Sequence, residues 1–457
     1  MIPFTTHHSL LTMNKQNVIA IFDVGKTNKK LFLFDEQYNI VFERSARFSE
    51  ITDEDGDVCE NVEALRQSLL DSVNEVLESN EFSLKAINYS AYGASFVYLD
   101  KKGNVLTPLY NYLKKYPEAL HKKFYNDYGG EIEFSHRTAS PVLGSLNSGL
   151  QLYRIRYEKP ELFQKIHSAL HLPQYLSYLI TGKTVSDITS IGCHTGLWDF
   201  EKNNYHVWVK REKIEEKLAP LFPYSEIVNL IYQNQKLVSG IGLHDSSAAL
   251  IPYLVSFKEP FVLISTGTWN ITLNPFNQTL LTSDELQQDC LCYMSYEGKP
   301  VKASRLFAGY EHDEYITSLA SYFDRSVQYY KEVNFDPHLT EEIKDENELP
   351  PVYSFKSYEE AYHHFMFYLL KKQKQATDLV ITKNVKRIFV DGGFSKNPLF
   401  MNMLASLYPD REVFAATIAQ STALGSALVI HQHWNKQVLP PDLIELKLYA
   451  TSLKSIS

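Results

Sequence analysis

Short apolar runs and longer stretches of helical spacing alternate along this chain in an orderly way. Residues 17–23 and 30–35 are compact apolar runs, and 39–47 alternates roughly as Ile40, Phe42, Ser45 and Phe48, which predicts a meander of strands joined by tight turns. From 61 to 80, Val62, Leu65, Leu69, Val73 and Val76 recur with the period of a helix that buries one face. A strand is expected near 86–91, then a turn at Gly93 and another strand from Phe96 to Leu99. Helical patterns follow at 145–157, 160–167 and 173–181, with Pro160 and Pro173 in the first-turn positions that proline favours. The second half repeats the plan: strands near 261–265 and 269–273, helices near 311–324 and 358–381, a strand at 386–390, and helices starting near 398 and 419. The acidic, proline-containing stretch 325–350 reads as a surface excursion. Strands first and helices after, in each half, predict α/β domains with mixed sheets that meet near residues 240–260.

One local pattern occurs twice, an apolar strand that breaks at a glycine turn and resumes. The copies are Ile21-Phe22-Asp23-Val24-Gly25-Lys26-Thr27-Asn28 and Ile264-Ser265-Thr266-Gly267-Thr268-Trp269-Asn270. Placing Gly25 on Gly267 superposes Asn28 on Asn270 and sets Asp23 against Ser265. A glycine turn flanked by Lys and Thr donors suits a phosphate, and two facing turns could clamp a nucleoside triphosphate across a cleft. The spacing Ala20-x4-Gly25-Lys26-Thr27 also approximates a P-loop, but that motif needs a loop before the glycine and a helix after the Lys-Thr pair. Here strand residues lie on both sides.

A third glycine site follows the apolar run Ile388-Phe389-Val390, at Asp391-Gly392-Gly393-Phe394-Ser395-Lys396-Asn397-Pro398. Asn397 and Pro398 make an N-cap and N1 pair, and a ribose or base could lie against the bare diglycine backbone. Gln420 to Ala427 offers a small-residue helix face for close packing, and both segments also have a purely structural reading. Asp245 follows the glycine-rich Gly240-Ile241-Gly242-Leu243-His244 and opens a run of small residues. It either projects from a helix N-terminus into the cleft, where the helix dipole keeps it ionised as a proton acceptor, or serves as an N-cap.

Composition narrows the field. The 457 residues suffice for two or three domains, and a net charge of −9 argues against nucleic acid and anionic membrane as partners. Phosphate must then be met by local donors. Cys59, Cys193, Cys290 and Cys292 are few, and the Cys-Leu-Cys spacing is too tight for the usual zinc pair, so reduced, buried thiols are expected. No apolar window is long enough for a membrane span, and MIPFTTHHSLLTMNKQ lacks the layout of a signal peptide, which predicts a cytoplasmic protein. The Tyr- and Lys-rich stretch from Tyr110 to Tyr128 reads as packing and amphipathic surface.

Taken together, these segments resemble the FGGY family of carbohydrate kinases, ATP-dependent sugar kinases of the actin-like ATPase superfamily, from about residue 17 to 431. Asp23 to Lys29 resembles the family's first phosphate motif, Ser265 to Trp269 its second, and Val390 to Asn397 with Thr422 to Gly425 its adenosine segment. His244-Asp245 is similar to the His-Asp pair of the rhamnulokinase-like and fuculokinase-like branch, in which the Asp is the catalytic base. The stretch 171–199, with Asp187, looks like the segment before the interdomain crossing. The resemblance implies two actin-like (ribonuclease H-like) domains with mixed sheets facing a central cleft. Residues 17–250 would form the sugar and phosphate side and 251–435 the nucleotide side, with terminal extensions at 1–16 and 436–457. It implies ATP and Mg2+ as cofactors, with Asp23 on the metal side. Asp23, Gly25, Lys26, Thr27, Asn28, Gly267 and Thr268 would meet the phosphates, and Gly392, Gly393, Asn397 and Gly425 the adenosine. Gly93, His244 and Asp245 would meet a ketose of the rhamnulose, fuculose or xylulose class, phosphorylated on a primary hydroxyl. Departures gather in the sugar pocket. Tyr92-Gly93-Ala94-Ser95 stands where rhamnulokinases carry Trp-Gly-x-Asp, Tyr296-Glu297-Gly298-Lys299 replaces Asn-Glu-Gly-Gly, and the run from Arg305 to Gly309 lacks an asparagine. These changes alter which hydroxyls the pocket can pair, and so which sugar fits. A sugar- and nucleotide-binding regulator without turnover and an actin-like filament or chaperone ATPase remain the alternatives, and the chain could be a monomer or a homodimer.

Overall fold

The run Val18 to Phe22 is apolar at every position because the strand it forms is covered on both faces. In the structure, a computed structural model that describes residues 15–26, 28–341, 343, 348–418 and 420–449, strand β1 (Gln16–Val24) places Val18, Ala20 and Phe22 in one apolar cluster and Ile19 and Ile21 in another. β1 hairpins into antiparallel β2 (Lys29–Phe34) and β3 (Ile40–Ala46). Helix α1 (Val62–Glu78) is capped by the Asn61 side chain, which accepts from the Ala64 amide, and presents Leu65, Leu69, Val73 and Val76 to the first cluster. β4 (Phe82–Ala91) then returns parallel to β1. A largely helical insertion follows, with its own aromatic core around Phe124, Tyr153 and Trp208. After it come α2 (Leu172–Thr181) and the short α3 (Ile188–Ile191). The hairpin of β5 (Val228–Tyr232) and β6 (Gln235–Ser239), together with β7 (Leu243–His244), completes the sheet beyond β4.

Helix α4 (Asp245–Ser256) leads into the second sheet. It is built from β8 (Phe261–Thr266), β9 (Asn270–Asn274), β10 (Cys290–Met294) and β11 (Pro300–Leu306), then, after α5 (Ala308–Tyr322) and α6 (Tyr358–Asp378), from β12 (Arg387–Gly392). Helix α7 (Pro398–Leu407), β13 (Glu412–Thr417), α8 (Ser421–Leu428) and β14 (Glu445–Tyr449) close it. The strand orders β3-β2-β1-β4-β6-β5 and β11-β9-β8-β12-β13-β14 correspond step for step, antiparallel, antiparallel, parallel, parallel, antiparallel. The sequence duplication is thus a duplication of sheet topology.

The halves join through α4 and α8, whose small residues allow the helix backbones to touch. A Cβ on Gly425 would fall 1.9 Å from the Ala248 carbonyl oxygen, so Gly425 is what lets α8 pack on α4. Ala248, Ile251, Ala423 and Ala427 share a cluster with Ile19 and Ile21, whereas Leu250 and Tyr253 pack on the second sheet.

Most of the expected elements lie within a few residues of their predicted bounds. The sequence reading left out the β5–β6 hairpin, β10, β11, β13 and β14. β10 is buried at every position and so shows no alternation, while β14 is short and almost wholly exposed, its Leu446 and Leu448 included. The stretch 325–350 is more than an excursion: it holds a 3-10 turn at Val327–Lys331 and a helix at Pro337–Glu341, and Val333 is buried in the second core. All four cysteines are free and buried. Among the described residues, no helix is long and apolar enough to cross a membrane.

Candidate active site

Each glycine turn closes a hairpin, but with a different span. The Gly25 amide donates to the Asn28 carbonyl at 3.0 Å, and Val24 pairs with Lys29, leaving four residues in the turn. The Gly267 amide donates to the Trp269 carbonyl at 3.1 Å, and Thr266 pairs with Asn270, leaving three. The expected superposition of Asn28 on Asn270 therefore fails after the glycine, and Asn270 corresponds to Lys29. Asn28 faces outward, accepting from Arg47 at 3.0 Å, whereas Asn270 is fully buried and donates to Gln373 at 2.8 Å. Thr27 lies outside the described residues.

The Lys26 ammonium is not free in the turn. It lies 3.3 Å from Glu60 Oε1, while Lys29 lies 2.9 Å from Glu60 Oε2 and the Tyr92 hydroxyl donates to the same carboxylate at 2.8 Å. Lys30, which the sequence reading passed over, is the antiparallel partner of Asp23 and the cation that acts on it. Its position two residues beyond the turn was the available signal.

Asp23 ends β1 and accepts from the Ser90 hydroxyl at 2.8 Å. Burial pushes its carboxyl up to about 6; the Ser90 bond and Lys30 oppose the shift and the Asp245 charge adds to it. Asp391 at the end of β12, another residue the sequence reading did not assign, is likewise pushed up to about 6, chiefly by burial, with Ser265 and Tyr253 opposing. Asp23, Ser265 and Asp391 line one cavity of about 320 Å3 with Gly392, Gly393 and Lys396. Thr266 braces the diglycine turn: its carbonyl accepts from the Gly393 amide at 3.1 Å and its hydroxyl from the Phe394 amide at 3.0 Å. Gly392 has φ +82°, and a Cβ there would fall 1.9 Å from the Thr266 carbonyl oxygen; a Cβ on Gly393 would meet nothing within 4 Å.

A second cavity of about 190 Å3 opens on the other side of this turn, lined by Gly267, Thr268, Gly309, His312, Asp313 and Asn397 among others. Asn397 contributes wall only, because its carbonyl oxygen caps α7 and its amide donates to Tyr362. The Arg305 to Gly309 run had been read as sugar pocket. In the structure Gly309 lines this second cavity, its amide donating to the Thr268 carbonyl at 3.1 Å.

Asp245 is the first residue of α4, with a third of its side chain exposed, and is not the cap; His244 occupies the N-cap position. The His244 amide donates to Thr189 Oγ1 at 2.9 Å, and Thr189 in turn donates to buried Asp187. His244 Nε2 lies 3.3 Å from Asp245 Oδ1, and burial holds the imidazole below its usual range, with the Asp245 charge opposing. A Cβ on Gly93 would come within 2.7 Å of His244 Cδ2, so Gly93, His244 and Asp245 are brought together as expected from their motifs. Ser95, at the position where a carboxylate was missing, is buried and donates to the Tyr110 carbonyl at 3.0 Å. It does not enter the pocket.

Comparison with known proteins places this arrangement. Residues 18–251 match the model of the FGGY family of carbohydrate kinases, N-terminal domain, and residues 258–334 and 354–438 match that of carbohydrate kinase FGGY, C-terminal domain. Rhamnulokinase of Mannheimia succiniciproducens is 22% identical over 267 residues, 55% of this chain and 52% of that protein. L-fuculokinase of Escherichia coli K12 is 23% identical over 276 residues, 57% of each chain. The similar stretches thus span little more than half the length of these curated relatives. A solved carbohydrate kinase from Novosphingobium aromaticivorans superposes with a TM-score of 0.76 at 22% identity, covering 94% of this chain and 96% of its own, and carries the same fold. The chain belongs to the FGGY family of carbohydrate kinases.

Proposed function

We propose that the chain is an ATP-dependent sugar kinase that transfers the γ-phosphoryl group to a primary hydroxyl of a ketose of the rhamnulose, fuculose or xylulose class, with Asp245 as general base. The observation that carries this reading is the position of Asp245, partly exposed at the N-terminus of the helix that joins the halves and close enough to Asp23 for the two charges to interact. Asp245 accepts the hydroxyl proton as the sugar oxygen bonds to the γ-phosphorus and the bond to the β-phosphate oxygen breaks, releasing ADP. The neighbouring His244, whose Nε2 lies 3.3 Å from Asp245 Oδ1, orients it.

Asp23, Asp391 and Ser265 offer hard oxygen donors in one cavity, a set that fits Mg2+. When bound, Mg2+ neutralises phosphate charge. The Gly25 and Gly267 turns and the Thr268 and Lys26 side chains meet the phosphates, and the cavity beside Gly267, Gly309 and Gly393 takes the adenosine. Lys30 complements the charge near Asp23. Glu60, by tethering Lys26 and Lys29, holds the cationic side of the first turn in place. Closure of the halves about α4 and α8 would exclude water and limit ATP hydrolysis without sugar.

The test is ADP release with Mg-ATP against rhamnulose, fuculose, xylulose and ribulose, with aldoses and polyols as controls, for the wild type and Asp245→Asn. One strong responder is expected, with kcat reduced by about 10²–10⁴-fold in the variant and ATP binding retained. Unchanged turnover in a folded Asp245→Asn protein would overturn the base assignment. ATP binding with no responding sugar would favour the non-catalytic regulator, to which Ser95 turned inward lends its one specific support.

A further inference from the structure

Behind His244 lies a set of soft donors that phosphoryl transfer does not use. α3 ends at Ile191 with Gly192 as its C-cap, and the chain then brings Cys193 and His194 against β7. The Cys193 thiol and one ring nitrogen each of His194 and His244 lie within 4.8 Å of one another. Their backbones are tightly held. A Cβ on Gly93 would come within 3.0 Å of Cys193 Sγ and 2.7 Å of the His244 ring, and one on Gly192 within 2.2 Å of Met294 Cγ, so both glycines permit the approach that gathers the trio. His244 is pinned through its amide by Thr189, and the His194 and His244 ring centres are 6.0 Å apart. A separate observation concerns His194 itself: its Nε2 is shielded from solvent and has no hydrogen-bond partner. An enclosed, unsatisfied imidazole nitrogen is costly in a residue that only packs, and is the arrangement expected of a ligand atom.

We propose that Cys193, His194 and His244 form a binding site for a borderline-soft divalent ion of the Zn2+ type, and that occupancy switches phosphoryl transfer off by engaging the imidazole beside Asp245. One sulfur and two nitrogens suit Zn2+ and not Mg2+, whose oxygen donors lie in the separate cavity around Asp23 and Asp391. Binding forms one Zn–S and two Zn–N bonds and releases the thiol proton. The fourth position goes to water or to the Asp245 carboxylate, which is 3.3 Å from His244 Nε2. The switching half of the proposal rests on the sugar-kinase reading, whereas the ion site stands without it.

The test uses the full chain, stripped with chelator, loaded with Zn2+ and desalted, with metal content measured directly. One zinc per chain is expected in the wild type, with affinity reduced at least about 100-fold in Cys193→Ser and in His194→Asn, both checked for folding by thermal melts. Serine can keep the thiol's bond to the Ser190 carbonyl, now 3.2 Å. Co2+ loading should give a thiolate-to-cobalt charge-transfer band that Cys193→Ser lacks. Equal zinc content in wild type and Cys193→Ser, or a cobalt spectrum without that band, overturns the site. In the ADP-release assay with Mg-ATP, zinc should inhibit the wild type and spare Cys193→Ser, whose zinc-free rate should match the wild type. Inhibition of both alike, or of neither while zinc is bound, overturns the switch. Should no sugar support turnover with Mg-ATP in any zinc-free protein, the kinase reading fails and the ion site is judged on metal content and the cobalt spectrum.

Discussion

At the head of each sheet a serine hydroxyl meets an aspartate across two parallel strands, but the two halves place the pair on opposite strands. In the first half Asp23 sits on the central strand β1 and Ser90 opposite it on β4; in the second, Ser265 sits on the central β8 and Asp391 opposite it on β12. The turns that follow also differ. The first spans four residues, carries Lys26, and is tethered from the side by Glu60. The second spans three residues and is packed from below by glycines, since a Cβ on Gly309 would fall 2.0 Å from the Gly267 carbonyl oxygen and one on Gly392 1.9 Å from that of Thr266. Strand pairing, which the sheet needs, is common to both halves. The strand ends, which the sheet does not need, have diverged into an open polar turn and a fixed backbone wall.

The largest effect should come from breaking the wall. Gly392→Ala adds a Cβ where φ is +82° and the neighbouring carbonyl leaves no room, so strain and overpacking together should cost about 3 kcal/mol or more. Urea denaturation of the ligand-free protein checks this. A loss below about 1 kcal/mol would mean that the second turn gives way as easily as the first, and the contrast between them would collapse.

Part of this contrast was legible in the chain. Compact apolar runs sufficed for β1 and β2 and helical spacing for α1, and the repeated glycine exposed the duplication. The divergence after the glycine was not visible, because superposing Asn28 on Asn270 assumed turns of equal length, and only strand pairing reveals the missing residue. Asp391 went unassigned although its string was noticed, since nothing in a linear reading shows that it faces Ser265 across two strands. The packing role of Gly425 was hidden for a similar reason. A small-residue helix face fits a ligand or another helix equally well, and the partner, Ala248 on α4, lies far away in sequence.

A smaller effect should sharpen what the halves share. Asp23 and Asp391 both titrate near 6 in the folded chain against about 3.8 when unfolded. As pH rises from about 4 to about 6 the unfolded chain gives up these protons first, so the ligand-free native state loses stability across that window and stays lower above it. Asp23→Asn and Asp391→Asn should each remove this loss, leaving the variant more stable than wild type at pH 8 by about 3 kcal/mol and nearly level with it at pH 4. Thermal melts across pH measure the difference, and activity should fall in both. A variant less stable at pH 8 than at pH 4, relative to wild type, would show that the carboxylate's hydrogen bond to serine outweighs its burial.

The smallest structural effect is expected at the first turn itself. Neither Gly25 nor Gly267 has a left-handed backbone, and a Cβ at Gly25 would meet only the Asn28 carbonyl, at 3.3 Å. The fold therefore does not require glycine there, and Gly25→Ala should change stability by less than about 1 kcal/mol. Phosphate oxygens approaching the Gly25 backbone would meet the new methyl, so KM for ATP should rise about tenfold, which corresponds to roughly 1.4 kcal/mol. Separating the two readouts makes the measurement decisive. If Gly25→Ala leaves the KM for ATP untouched, the open turn does not receive the phosphates; if it destabilises the protein as much as Gly392→Ala, the turn is a packed wall like its counterpart. Only stability kept with nucleotide affinity lost supports two strand ends of one design put to different uses.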